Sequence, residues 1–270
     1  MWKTIALWAI VLTILFVFCF PIVNTVLTSL KSKADISSRP PKWLFDPTLS
    51  HYQNVLYAGG YDFPLYYINS LIISLGASLV TVLICLPAAY SLVRFRTGGG
   101  NPLFIIMSLR LVPPIAFLIP IFIVFQYMRL TDTHLGMIFM NSLMNAPLGL
   151  LLFVGFVKDL PKEYEEAAMI DGASFVSIVR HIIFPLTLPG MAAVAMLTFI
   201  FSWNEFLMAL VLTLRKAIPA TVGAAVFVTA WEIKWGEIAA ALAISMIPTM
   251  TFTYFTQRYL ARAFSAGMVK

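Results

Sequence analysis

The sequence predicts an all-α, polytopic membrane protein with about six transmembrane helices. The first observation is composition: 11% of the 270 residues are charged and 60% are hydrophobic, whereas a soluble domain carries about 25% charged residues. The second is clustering. Residues 4–30, 63–93 and 238–257 hold no charge, residues 133–157 hold no Lys, Arg, Asp or Glu, residues 97–128 hold only Arg110, and residues 181–214 hold only Glu205. An apolar run of about 18 residues or more reads as a membrane crossing, since about 20 residues span the hydrocarbon core. The third is that a soluble helix keeps a polar face, and these runs have none.

Taken in order, the spans fall at about 5–28, 66–92, 102–127, 136–157, 190–213 and 237–257 of a single transmembrane domain. The first is about 24 residues long, beyond the 7–15 of a signal-peptide core, and no small-x-small cleavage site leads into a mature domain. Residues 29–65, with Pro40, Pro41, Trp43 and Pro47, read as an irregular, partly extended loop. Gly98-Gly99-Gly100-Asn101-Pro102 reads as a tight turn. Residues 217–231 are too short to cross and read as a packed loop or a short interfacial helix, with a seventh crossing the less favoured alternative. Cys19 and Cys85 lie in spans at different depths, so no disulfide is expected.

Several function classes are excluded by what the chain lacks. It has no G-x-x-x-x-G-K-[ST] loop, no H-E-x-x-H and no G-x-S-x-G, and His51, His134 and His181 are scattered. No catalytic or metal-binding constellation is expected. The net charge of +6 suits an anionic membrane surface, and no basic run with interleaved aromatics points to nucleic acid. No extramembrane stretch reaches the roughly 50 residues of a small domain, so an ATPase or a solute-capturing domain would have to be a separate chain. An ion-coupled secondary carrier is the alternative class, but coupling uses ionisable residues within spans, and Arg110 and Glu205 are the two candidates.

Charge alone does not orient the chain. With six spans and the termini inside, Lys3, Arg94, Arg96, Lys158, Lys162, Arg180, Arg258, Arg262 and Lys270 are cytoplasmic. Lys31, Lys33, Arg39, Lys42, Arg129, Arg215, Lys216 and Lys234 are then outside, and nine against eight is too even a split to set the direction.

The densest acid lies in "PKEYEEAAMIDG", Pro161 to Gly172, within a polar stretch at 158–189 that reads as helix-turn-helix. Asp159 is a candidate cap for the first helix, with Pro161 in its first turn. Gly172 can supply the left-handed residue that ends it. Ser174 can cap a second helix with an apolar face of Phe175, Ile178, Val179 and Ile182, and Pro185 and Pro189 then break the path into span five. Ala167 and Ala168 let a partner approach closely, and Glu163, Glu165, Glu166 and Asp171 can pair with a basic groove. Two readings fit this pattern: a plug for a partner protein, or a solvated amphipathic helix on the membrane surface.

A resemblance separates them. Glu166-Ala167-Ala168, three residues, Gly172, nine residues and Ile182-Ile183-Phe184-Pro185 resemble the EAA loop of ABC importer permeases, whose pattern ends I-x-L-P; Phe184 in place of Leu is the one departure. "WNEFLMALVLT" (Trp203 to Thr213), "RLVPPIAFLIP" (Arg110 to Pro120) and the ending "SAGMVK" are similar to the carbohydrate-uptake, maltose-type branch. The resemblance implies a type I ABC importer permease in a bacterial inner membrane, multi-pass, with the loop and both termini cytoplasmic. It implies that Glu166, Ala167, Ala168 and Gly172 couple to an ABC ATPase dimer, and Glu163 and Asp171 of the acidic flank are coupling candidates beside them. It further implies a second homologous permease subunit, an extracytoplasmic solute-binding protein facing loops 29–65 and 214–236, and a carbohydrate substrate. No cofactor would bind this chain; ATP and Mg would sit on the ATPase. The tail from Gln257 to Lys270 is expected against the ATPases.

Polar side chains in apolar helices face a bundle interior or a watery path. Asn141 and Asn145 share a face of span four, about 8–14 Å from its outer end at 1.5 Å per residue. Asn204 and Glu205 lie about 20 Å up span five from the opposite side. These residues, with Trp203 for a sugar's apolar face and Arg110 in span three, are the candidate solute pathway. The competing reading is interhelical hydrogen bonding, worth about 0.6 kcal/mol per contact. Asn69, Ser70, Ser74, Ser245, Thr249 and Thr253 read as packing contacts.

Overall fold

The computed structural model of the chain describes the backbone of residues 2–57, 62–98, 101–229 and 231–267, and their side chains apart from Lys3 and those from 258 onward. The helices are α1 (Trp2–Leu30), α2 (Lys33–Ile36), α3 (Ser50–Tyr57), α4 (Phe63–Arg94), α5 (Pro102–Ser108), α6 (Leu118–Tyr127), α7 (His134–Asp159), α8 (Glu163–Ile170), α9 (Phe175–Ile178), α10 (Phe184–Trp203), α11 (Leu207–Leu212), α12 (Ala220–Ala225) and α13 (Trp235–Gly267). The only strand-like pairing among the described residues is an isolated bridge, Val228 with Ile233.

Thr4–Leu30, Phe63–Arg94, His134–Asp159, Phe175–Trp203 and Trp235–Gln257 are each long and apolar enough to cross a membrane. Pro102–Leu111 and Pro114–Tyr127 make a sixth crossing if the pair, bent by 92°, is one span. Each unbroken crossing holds an internal proline: Pro21, Pro87, Pro147, Pro189 and Pro248. Membrane helices tolerate these because neighbouring helices and Ser or Thr side chains satisfy the freed carbonyls.

Three expectations are corrected. Span three is not one straight helix. Val112 is extended ahead of Pro113, and Pro114 opens a second 3-10 turn; two prolines without N–H donors, after a residue pushed out of the helical region, end the first half. Span five is not 190–213. Its helix starts at Phe175 and ends at Trp203, because Pro185 and Pro189 do not interrupt it. A π turn over Val179–Ile183 lies directly ahead of Pro185, which stands in the first turn of α10. Beyond Trp203 the chain turns, and the Glu205 carboxylate accepts from the N–H groups of Met208 and Ala209 (2.7 and 2.9 Å), capping α11 as a separate short helix. Asp159 does not cap the loop helix. It is the last residue of α7, and α8 begins after Lys162 with no side-chain cap.

The loop expected over 29–65 carries α2 and α3. Residues 217–231 contain α12, in line with a short packed helix. Gly98 has φ +91°, as a turn requires, while Gly99 and Gly100 lie outside the described residues. So do Met268 to Lys270 of the tail, and the side chains of residues 258–267. Both cysteines are free thiols.

The chain divides into two compact units. The first comprises Met1–Tyr67 and Ala220–Ile247. Val55, Phe63, Ala220, Phe227, Ala240 and Ala241 form its core. His51 bridges the Lys31 carbonyl (2.9 Å) and the Glu237 carboxylate (3.3 Å), and the Asn54 amide donates to Glu237 (3.0 Å). None of the residues in the most apolar stretch of α1 is buried within the chain, so bilayer or a partner protein must cover its exposed side chains.

The second unit comprises Ile68–Pro219 and Pro248–Lys270. Val82, Cys85 and Ala89 of α4, Leu150, Phe153 and Val154 of α7 and Val194 of α10 form its core. Inside a bilayer, helices are held by close contact rather than by exclusion of water, so small residues mark the crossings. A Cβ added at Gly190 would stand 2.7 Å from the Phe156 ring, and one at Gly149 would stand 3.0 Å from Thr81. Close to the start of α7, Asp132 accepts hydrogen bonds from the backbone N–H groups of Leu214, Arg215, Lys216 and Ala217 at 2.9–3.2 Å. Burial acts to raise the Asp132 pKa, but these backbone donors outweigh it and hold the carboxyl below its ordinary value. Asn69 donates to the carbonyls of Lys216 and Ile218 and is met by His134 at 2.7 Å, so it is a packing contact as expected.

Candidate functional site

The acidic loop is built as a protruding helix clamped at its base. After α7 ends, Leu160 is extended and α8 makes two turns, with Glu163, Glu165 and Glu166 in the first. Acids there complement the positive end of the helix dipole. The helix closes on Gly172, whose φ is +79° and whose N–H donates to the Met169 carbonyl (3.1 Å); the Ala173 N–H reaches Ala168 (2.9 Å). Ser174 then caps α9, accepting from the Ser177 N–H at 3.3 Å.

The two faces of α8 differ. Glu165 is 4% exposed and points back into the unit. Its carboxylate takes the Tyr90 hydroxyl and the Arg94 Nε, both at 2.7 Å, and Arg94 also donates to the Leu160 carbonyl at 2.9 Å. Tyr90 in turn packs with Val157, Ile178 and Ile183, and Ala168 sits half-buried against this cluster. Glu163, Glu166 and Ala167 face outward with Ile170, and Asp171 and Gly172 are exposed beyond them. Five of the six coupling candidates therefore lie on open surface. Glu165 is a correction: it is not free to meet a basic groove, because Arg94 is its partner. The pairing left a trace in sequence, a basic residue four positions after a tyrosine at the end of a span, facing a loop rich in acid.

The candidate pathway residues are dispersed. Asn141 and Asn145 are buried; Asn141 donates to the Met137 carbonyl (2.9 Å), and Asn145 donates to the Asn141 carbonyl (2.8 Å) and reaches Ser202 Oγ (3.5 Å). The last of these is the interhelical bonding that competes with a pathway role, joining α7 to α10. Trp203 is 3% exposed and stacks on Phe199 at 5.7 Å, which stacks on Phe252 at 4.5 Å. Its ring is occupied by packing. Glu205 caps α11. Arg110 stands on the 3-10 turn at the bend, its guanidinium over the Phe201 ring at 5.5 Å.

Asn204 differs. It is exposed, donates to the Ile200 carbonyl (2.7 Å), and lines an open groove of about 500 Å³ with Ile200, Thr249, Met250, Thr253, Tyr254 and Gln257. Thr249 and Thr253, read from the sequence as packing contacts, border this groove and are half-buried. Among the described residues no group of three His, Cys, Asp or Glu side chains could hold a metal ion.

Comparison with known proteins places this architecture. Residues 81–266 match the binding-protein-dependent transport system inner membrane component family. The chain is 32% identical to the probable ABC transporter permease protein y4oR of Sinorhizobium fredii over 98% of its length and 95% of the relative's. It is 34% identical to the trehalose/maltose transport system permease protein MalG of Thermococcus litoralis, covering 84% of this chain and 82% of that one. It is 28% identical to the sulfoquinovosyl glycerol transport system permease protein SmoH of Agrobacterium fabrum, covering 93% and 88%. Its fold is that of a chain in the crystal structure of a bacterial ABC transporter involved in the import of the acidic polysaccharide alginate, with a TM-score of 0.80 at 21% identity over 95% of this chain and 96% of that one. A family match across α4 to α13, full-length relatives and a shared fold lead to one conclusion: the chain belongs to the binding-protein-dependent transport system inner membrane component family and is a multi-pass ABC transporter permease.

Proposed function

We propose that this permease forms one half of the pore of an ATP-driven importer that carries a sugar or sugar derivative into the cytoplasm. Its relatives MalG, SmoH and a melibiose/raffinose/stachyose permease of Bacillus subtilis bear carbohydrate names, which supports the substrate class. Hydrolysis belongs to a separate ATPase dimer that binds ATP and Mg. A second, homologous permease completes the pore, and an extracytoplasmic solute-binding protein delivers the cargo. The 158–189 loop and both termini are cytoplasmic.

The observation that carries the coupling role is the division of α8 into a clamped face and an open one. Glu165 fixes the helix to α4, so a push on the outward acids moves the spans rather than the loop alone. Glu163, Glu166 and Asp171 supply charge for a basic cleft on the ATPase, and Ala167, Ala168 and Gly172 supply close approach. Two arrangements of the pore differ in how well they bind the ATPase on one side and the loaded receptor on the other, and ligands shift that equilibrium. Asn141, Asn145 and Trp203 support the wall of the pathway from within. Asn204 reaches the path, and Arg110 and Glu205 shape the bends beside it.

The test is charge reversal at Glu166 (Glu166→Lys) and bulk at the loop apex (Gly172→Glu) in the complete transporter. Loss of ATPase co-purification and of uptake is expected. Unchanged association and unchanged uptake in both variants would refute the docking role. Sugar uptake by the purified chain alone in proteoliposomes would instead establish a stand-alone carrier.

A further inference from the structure

We propose that a basic cleft at the junction of α4, α5 and α7 holds a phosphate group, and that this group is the headgroup of an anionic membrane lipid. The proposal concerns the permease in its bilayer and does not depend on which solute it carries.

The cleft, of about 270 Å³, lies where α4 runs out past Arg94, α5 starts at Pro102 and α7 nears its end at Asp159. It therefore sits at one rim of three crossings, the depth at which lipid headgroups lie. Two cations line it, Arg96 and Lys158, together with Thr97 and Asn101. Among the described residues no Asp or Glu lines it, and the residues outside that set include no acid. Neither cation forms an ion pair among the described residues; the buried pair at this end of α4 takes Arg94 instead. Like charges that share a cleft repel each other, so the cleft favours an anion. The guanidinium fork and the ammonium point charge both suit phosphate oxygens. Asn101 accepts from the Phe104 N–H at 3.3 Å through its oxygen, which leaves its amide nitrogen to donate.

The backbone adds a second observation. Arg96 stands outside any helix with φ +51°, in the left-handed region that a long side chain rarely takes. Such conformations cluster at sites where a side chain must be held in place. Lys158 lies in the last turn of α7, where a cation complements the helix dipole. Arg96 stands past the last turn of α4 and has no such use.

The apolar part of the cleft selects a lipid over a soluble phosphate. Leu92, Val93, Pro102, Leu103 and Val154 complete the lining. Phe104 and Ile105, next along α5, are 68% and 65% exposed. A headgroup between the cations, with its chains along that apolar surface, uses both halves of the site, whereas free phosphate uses only the charges. Basic pockets between membrane helices take anionic lipids in this way.

The experiment uses the complete transporter, purified in detergent and mixed with micelles containing phosphatidylglycerol or phosphatidylcholine. Bound lipid is counted by native mass spectrometry, and co-purification of the subunits checks folding. The parent protein is expected to hold phosphatidylglycerol at least about tenfold better than phosphatidylcholine. The double variant Arg96→Gln, Lys158→Gln should bring the two lipids to within about twofold. Each single variant should lose about threefold or more, and decides the matter if the double variant does not assemble. Arg180→Gln removes an exposed cation outside the cleft and should keep the preference. An unchanged preference in the Arg96 and Lys158 variants, or an equal loss in Arg180→Gln, would overturn the site.

Equilibrium dialysis with radiolabelled inorganic phosphate separates the two sources. No phosphate binding that the double variant abolishes is expected. Phosphate binding lost in the double variant, with no lipid preference in the parent, would overturn the lipid assignment and give the cleft to a soluble phosphate.

Discussion

Removing the Arg94 guanidinium should release the loop helix from the spans without unfolding them. Arg94 and Glu165 side chains are 7% and 5% exposed and meet at 2.7 Å. Arg94→Ala would strip the carboxylate of its cation and the Leu160 carbonyl of its donor, while the Tyr90 hydroxyl would still reach Glu165. Breaking a buried pair by removing one partner costs about 3–5 kcal/mol, since the remaining charge stays desolvated. At 1.36 kcal/mol per tenfold, opening of α8 from its seat would become about 10²–10⁴ times more frequent. The cost falls locally, because the core of Val82, Cys85, Phe153 and Val194 lies elsewhere. Hydrogen exchange on the complete transporter reads this directly: amides of residues 163–178 should lose at least about two decades of protection, while those of the α4 and α7 cores should keep theirs. The double variant Arg94→Leu, Glu165→Leu should restore much of the protection, because a buried ion pair contributes little beyond an apolar replacement. Unchanged exchange in Arg94→Ala would refute the clamp, and equal loss across all spans would refute its local character.

Three further outcomes follow from the same geometry. Gly172→Ala meets no neighbouring atom within 4 Å, so its cost is the left-handed backbone alone, about 1–2 kcal/mol; Gly172→Asn should cost less, and thermal melts of the two variants give the order. Gly190→Ala places a methyl against Phe156 and should lower stability by about 1–3 kcal/mol through overpacking, with Phe156→Leu relieving much of it in the double variant. The Asp132 carboxyl has a folded pKa below its unfolded value of about 3.9. Its contribution is therefore complete above that value and lost as pH falls through the folded pKa; melts between pH 3 and 7 should show Asp132→Ala about 1–2 kcal/mol weaker at neutral pH, with the difference shrinking in acid.

The crossings were legible because uncharged runs of about 20 residues have few other uses, and the helix-turn-helix of the loop was legible because Gly172 and Ser174 are local signals that tertiary packing did not override. What failed depends on neighbours in the fold. Pro185 and Pro189 look like breakers in one dimension, yet the helix runs on past both, with a π turn just upstream. Pro113 and Pro114 resemble them, and there the chain bends by 92°. Among site residues, polarity placed Asn141, Asn145, Trp203 and Glu205 in or beside apolar helices but not what each side chain faces, which depends on neighbouring helices. Glu165 and Glu166 are adjacent and identical in type; a 100° step around the helix buries one and exposes the other.

The surplus residue held in the π turn at Val179–Ile183 sits between α9 and α10, on one continuous path from Ser174 to Trp203. A helix that stores one extra residue can pass it along or expel it, and each such slip turns everything downstream by about 100° and lengthens or shortens the rod by about 1.5 Å. A ratchet of this kind would let the Ser174 end stay locked to its seat while Asn204 rotates like the bit of a key.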